Sequence, residues 1–158
     1  MEECRELPLL FYAYRRRLVG NVSAHSHGGC ELIYLLRGSC RVEGPLGVLA
    51  GRSGQLLVIP PETVHNQIDS PDEKNIFCVF QAQPGLFEQR WRTIDLAGEA
   101  WCRRWLLELS SMTERNDFEG ANAILLGLLL RLSAFEKKRA AAEHLHPGLR
   151  KALAFIYN

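Results

Sequence analysis

Between residues 20 and 83, short apolar runs alternate with turn residues at near-regular spacing. The runs cover residues 31–36, 40–43, 47–50, 56–59, 65–68 and 75–80. Gly38-Ser39, Gly44-Pro45, Gly51-Arg52-Ser53-Gly54, Pro60-Pro61 and Asp69-Ser70-Pro71-Asp72 separate them. Runs this short, bounded by glycine and proline, read as strands rather than helices. A strand buries only one face by itself, so many short strands in sequence predict a sandwich or barrel. Residues 7–19 add one or two short strands: Phe11, Tyr12 and Tyr14 favour extended backbone, and Pro8 suits a strand start or an edge.

After Gln83 the pattern changes, with Pro84-Gly85 at the transition and three helical patterns following. Residues 99–112 place Trp101, Cys102, Trp105, Leu106 and Leu109 at helical spacing. The two tryptophans read as helix-packing residues rather than a ligand cage. Asp117 is positioned to cap a helix over 118–139. Its stripe is Ala121, Ile124, Leu125, Leu128, Leu132 and Phe135, but Leu126, Leu129 and Leu130 are apolar outside it. Such a helix expects more than one neighbour, here the barrel and a second copy of the chain. Lys137-Lys138-Arg139 suit the negative end of its dipole. The last pattern starts at Pro147, repeats Leu149, Ala152, Leu153 and Ile156, and is still running at Asn158.

The bulk numbers narrow the function classes. Nineteen basic and eighteen acidic residues leave a formal charge of +1 over 158 residues, so no global field marks a nucleic-acid or membrane binder. Arg15-Arg16-Arg17 is a local exception and reads as a solvated strand end, with a phosphate site as the alternative. Five cysteines without C-x-x-C spacing predict free thiols in a reducing, cytoplasmic compartment. The longest uninterrupted apolar run, 123–130, is too short to span a bilayer.

The chemistry concentrates in two places. His25 and His27 lie two residues apart, with Glu31 four residues beyond, and His65 follows the second proline of Pro60-Pro61 by four residues. On one strand, residues two apart face the same way, roughly 6.6 Å apart along the axis. Glu31 and His65 would have to come from neighbouring strands. Imidazole and carboxylate suit Zn, Ni, Fe or Cu, with Zn–N at about 2.0–2.1 Å. The same side chains could instead hydrogen-bond one another or bind a ligand directly. No nucleophile setting, G-x-G-x-x-G or phosphate loop occurs.

His25-Ser26-His27, Glu31 and Gly38 resemble the first motif of the cupin superfamily, and Gly54, Pro60 and His65 resemble the second. Two departures stand out: Gly20 lies one residue closer to His25 than usual, and Glu62 occupies a common glycine position, suggesting a different turn. Glu31-Leu32-Ile33-Tyr34, the Leu56-Leu57-Val58-Ile59-Pro60-Pro61 run and the helical segment are similar to the sensor domain of AraC-type transcription regulators. The resemblance implies a mainly β fold: a cupin-type β-barrel (double-stranded β-helix or jelly roll) followed by C-terminal α-helices. It implies a barrel over 7–83, a helical dimerisation segment over 84–145, and a linker with the start of a helix-turn-helix domain over 146–158. A small-molecule effector such as a sugar or organic acid would meet His25, His27, Glu31 and His65, directly or through Zn, Ni or Fe. Strand alternation from Glu31 would add Ile33 and Leu35 to the lining. The implied partners are the effector and a second copy through the C-terminal helices. DNA would be contacted only through a domain beyond Asn158, and no membrane is involved. The rival implied by the complete His/Glu set is a metal-dependent cupin enzyme, a dioxygenase or isomerase.

Overall fold

The protein is described here by a computed structural model that covers residues 6–16, 20–144, 147, 148, 151 and 155. Among the described residues up to 144, nine strands precede two helices: β1 Leu9–Arg15, β2 Val22–His25, β3 Cys30–Arg37, β4 Ser39–Gly44, β5 Gly47–Arg52, β6 Gln55–Ile59, β7 His65–Asp69, β8 Lys74–Gln81, β9 Arg92–Asp95, α1 Ala100–Glu114 and α2 Phe118–Glu143. All pairings are antiparallel. One sheet has the order β1-β8-β3-β6-β9 and the other β2-β7-β4-β5. The two face each other as a jelly-roll barrel, with the helices on the outer face of the five-stranded sheet.

That layering explains the composition of the strands. β3, β6 and β8 are buried on both faces and read as nearly continuous apolar runs. Ile33, Leu35, Cys40, Val42, Leu49, Leu57 and Ile59 fill the space between the sheets. Leu32, Tyr34, Leu56, Val58, Ile76, Cys78 and Phe80 point the other way, against Cys102, Leu106, Leu109, Leu125, Leu128 and Leu129 of the helices. Each fully buried leucine or isoleucine contributes about 1.5–3 kcal/mol. β4 and β5, with solvent outside, keep the strict alternation of a half-buried strand. The β3–β4 turn depends on Gly38 at φ +70°, where a Cβ would lie 2.8 Å from the Glu73 backbone.

The six runs expected within 31–80 all form strands, each within two residues of its expected ends. Helices are not the first elements after Gln83: Arg92–Asp95 is a strand, paired with β6. The bidentate Arg92–Glu136 ion pair, at 2.8 and 2.6 Å, ties it to α2. Asp117 caps α2 as expected, its Oδ1 accepting the Gly120 N–H at 3.0 Å, a contact type worth about 1 kcal/mol. The end of α2 corrects the expected dipole pairing. Strong helix formers at Ala140, Ala141 and Ala142 carry it to Glu143, so its last turn holds no basic residue. By length and composition α2 would suffice to cross a membrane, a test that a core helix of a folded domain also passes; its Ala121, Leu125, Leu128, Leu129 and Leu132 face is buried in the core. Trp101 and Trp105 pack under Arg131, whose guanidinium stands 4.5 Å from the first ring centroid. Pro147, Gly148, Lys151 and Phe155 are helical; the rest of the last sequence pattern, together with Arg17 and Cys4, lies outside the described residues.

Candidate metal and ligand site

Three strand ends converge at one mouth of the barrel. His25 closes β2 and pairs directly with His65, the first residue of β7, their rings 4.4 Å apart. Glu31 is the second residue of β3 and points inward, as do Ile33 and Leu35 further along. His27 lies in the loop after β2, which corrects the reading of His25 and His27 as strand neighbours. The loop places it by hydrogen bonding: its carbonyl accepts the Glu62 N–H at 2.9 Å, and its Nδ1 lies 2.9 Å from Gly29 O. Glu62 itself sits at φ +57°. The turn after Pro60-Pro61 thus has the left-handed geometry that a glycine would supply.

The three imidazoles are held alike. Nδ1 of His25 faces Ser23 O at 2.9 Å, that of His27 faces Gly29 O at 2.9 Å, and that of His65 faces Thr63 O at 2.8 Å. A carbonyl only accepts, so each Nδ1 carries a proton, and each ring in its neutral form offers its Nε2 lone pair. Backbone acceptors behind imidazoles are the usual support of metal-ligating histidines. Nε2 of His27 and Nε2 of His65 both stand 3.1 Å from one oxygen, Oε2 of Glu31. One ligand atom from each of the four residues lies within 4.8 Å of the others. Lone pairs aimed at a carboxylate repel it unless a cation or protons lie between, so the donor set fits a divalent transition metal. Protons can also fill the gap. The Glu31 hydrogen bond raises the His27 pKa above its ordinary 6.5. Burial pushes the Glu31 carboxyl up, but His27 and His65, which donate to it when their Nε2 is protonated, outweigh it and hold the group below its ordinary 4.5.

A cavity of about 300 Å³ opens beside this cluster. His25, Glu31 and His65 form one end, with Tyr12 level with Glu31 across β8; Val22, Phe77 and the stem of Gln67, further along their strands, make the waist, and Arg16 and the Gln67 amide, both bonded to Asp69, form the other end. Ile33 and Leu35 sit in the core between the sheets and do not border it. Burial, with the nearby Glu31 charge, raises the Tyr12 phenol pKa. Arg16 corrects the expectation of a solvated arginine run: its Nη1 donates to Asp69 Oδ2 at 2.6 Å and its side chain is 18% exposed. Gln67 was legible as a candidate, two residues beyond His65 on the same strand face. Tyr12 was not, because a bulge between Leu10 and Tyr12 shifts the register of β1. A larger groove of about 410 Å³ runs between β9 and α2. Glu88 and Glu136 on its wall are paired locally, with Arg90 and Arg92.

Two antiparallel sheets closed around a histidine–glutamate cluster and an internal cavity define a cupin-type ligand-binding barrel. The chain belongs to the family of AraC-like ligand binding domains, whose family model matches residues 9–129. No curated protein matches it. Similar solved structures include a cupin-2 domain containing protein from Shewanella frigidimarina, 15% identical over 45% of this chain and 67% of that one, with a TM-score of 0.37. A Neisseria meningitidis protein is 17% identical over 47% of this chain and 83% of its own, with a TM-score of 0.40. A variant of Bacillus subtilis oxalate decarboxylase is 21% identical over 44% of this chain and 20% of its own, with a TM-score of 0.37. Likenesses this distant say nothing about ligand or reaction.

Proposed function

We propose that this chain is the effector-sensing and dimerisation module of an AraC-type transcription regulator that works in the cytoplasm. The observation that carries the reading is the convergence of three oriented imidazoles and Glu31 Oε2 at one end of a cavity between the two sheets. His25, His27, Glu31 and His65 would hold Zn, Ni or Fe, which when bound supplies a Lewis-acidic centre for an oxygen of the effector. Cavity and helices are physically joined. Tyr12 walls the cavity from β1, and two residues earlier the Leu10 N–H donates to Asn122 Oδ1 of α2 at 2.8 Å. Ala123, Leu126 and Leu130 recur at coiled-coil spacing away from the buried face of α2, and Leu130 is exposed. That stripe supports a homodimer through α2. A DNA-reading domain beyond Asn158 would receive the signal. The free cysteines suit a reducing compartment: Cys30, Cys40, Cys78 and Cys102 are buried, and burial pushes three of the thiols up to about 12.

The complete three-histidine, one-glutamate set beside a cavity also supports a second reading, a metal-dependent dioxygenase or isomerase. Metal analysis of untagged protein, sedimentation at tens of micromolar and the reading frame past Asn158 separate the two. A bound transition metal, a dimer and a helix-turn-helix pattern are expected. A monomer whose frame ends at Asn158 overturns the regulator reading in favour of the enzyme.

A further inference from the structure

The end of the cavity away from the histidines has its own chemistry. Asp69 accepts from Arg16 Nη1 through Oδ2 and from Gln67 Nε2 through Oδ1, both at 2.6 Å. The Asp69 backbone N–H is in turn held by Asn21 Oδ1 at 3.2 Å. The guanidinium charge is therefore already neutralised where the cavity meets it. Because a carboxylate only accepts, Gln67 must turn its amide nitrogen to Asp69. Its Oε1 has no partner among the described residues, although Gln67 is buried and borders the cavity.

An acceptor beside a neutralised guanidinium suits a hydroxyl, which both donates and accepts. A carboxylate there would set its lone pairs against Gln67 Oε1 and Asp69. The waist offers ring and methyl surface to whatever lies between its walls. Tyr12 and Phe77 meet edge to face at 6.1 Å on one side, and Val22 stands on the other. A flat apolar ring satisfies these walls, and about 300 Å³ lies at the small end of ligand cavities.

We propose that the ligand is a small hydroxylated aromatic acid. Its ring lies between Tyr12, Phe77 and Val22, its hydroxyl meets Gln67 Oε1 and Arg16, and its acid oxygen would meet the cation that His25, His27, Glu31 and His65 would hold. This rests on the cavity being the effector site, and the experiment separates the two ideas.

Calorimetry on the zinc-loaded protein would use 4-hydroxybenzoate, benzoate, cyclohexanecarboxylate and a pentose. 4-Hydroxybenzoate binds about tenfold tighter than benzoate, the worth of one well-made hydrogen bond. Gln67→Leu removes that preference while benzoate still binds. Val22→Trp, a change on a half-buried edge strand, abolishes binding of both aromatics and leaves the zinc content unchanged. Equal affinity for the two aromatics, or a preference unmoved by Gln67→Leu, overturns the proposal. Should the pentose or the saturated acid bind best and lose affinity in Val22→Trp, the aromatic class falls and the sensing cavity stands. If no probe binds, the hydroxylated aromatic is rejected; binding of all probes unaffected by Val22→Trp rejects the cavity as the site as well.

Discussion

His65 and Glu31 meet at 3.1 Å through atoms that both carry lone pairs, Nε2 and Oε2, because Thr63 O at 2.8 Å claims the His65 Nδ1 proton. The pair is therefore complete only with a cation or a proton between its members. Glu31→Gln replaces one acceptor with an amide that can donate to Nε2. Zinc affinity in that variant drops by at least about 100-fold, the scale of a strong perturbation at a metal centre. The metal-free variant at pH 8 is more stable than metal-free parent protein by on the order of 1 kcal/mol. Competition with a chelating dye and thermal melts of both forms measure the two effects.

Proton and metal compete for His27. Its pKa is raised in the folded, metal-free protein by the Glu31 hydrogen bond, so its stabilising contribution is full below 6.5 and is lost as pH rises through the raised value. The Glu31 pKa is lowered by its protonated histidine partners, so its contribution is present above 4.5 while they keep their Nε2 protons and is lost as pH falls through the lowered value. Metal requires the neutral imidazole. The gap in melting temperature between zinc-loaded and metal-free protein therefore widens as pH rises from about 6 to 8. A gap independent of pH would show that His27 is not a ligand.

Glu73 is buried beside Asn75, and among the described residues neither its carboxyl oxygens nor the polar atoms of the Asn75 side chain have a partner at hydrogen-bond geometry. Burial, aided by the Asp69 charge, raises the Glu73 pKa. A carboxyl raised in the folded state is stabilising when protonated and costs stability as pH climbs through the raised value. Glu73→Gln removes the ionisation. The variant is more stable than the parent at pH 8 by on the order of 1 kcal/mol, and the difference shrinks toward pH 5. Urea unfolding at the two pH values reads it directly.

Glu62 holds a left-handed backbone, φ +57°, which costs a residue with a Cβ about 1–2 kcal/mol. Glu62→Gly relieves that strain at the expense of a more flexible unfolded chain. The net expectation is a gain of about 0.5 kcal/mol with zinc affinity unchanged, since the Glu62 contact to His27 O runs through its backbone N–H. Chemical unfolding and the chelator titration test both halves.

Much of the site could be read from residue type and spacing. His25, His27, Glu31 and His65 stand out because few other roles call for that set of side chains, and they do converge. The opposite end of the cavity was hidden for a physical reason. Arg16 looked like one of three solvated arginines until its distance to Asp69, 53 positions away in sequence, was known. Tyr12 depends on a bulge, and a single-residue shift in a strand exchanges its faces.

Local chemistry was sufficient for the order and kind of most elements: glycine and proline placed the turns, apolar runs the central strands, and Asp117 the start of α2. Those signals act over a few residues. Which face of β1 meets the cavity, how His27 is held off its strand, that Arg92–Asp95 joins β6, and that Ile33 and Leu35 fill the core were decided only by tertiary structure. Each depends on strand register and on contacts between residues far apart in the chain, and the energy of such a contact exists only once the sheets have closed on each other.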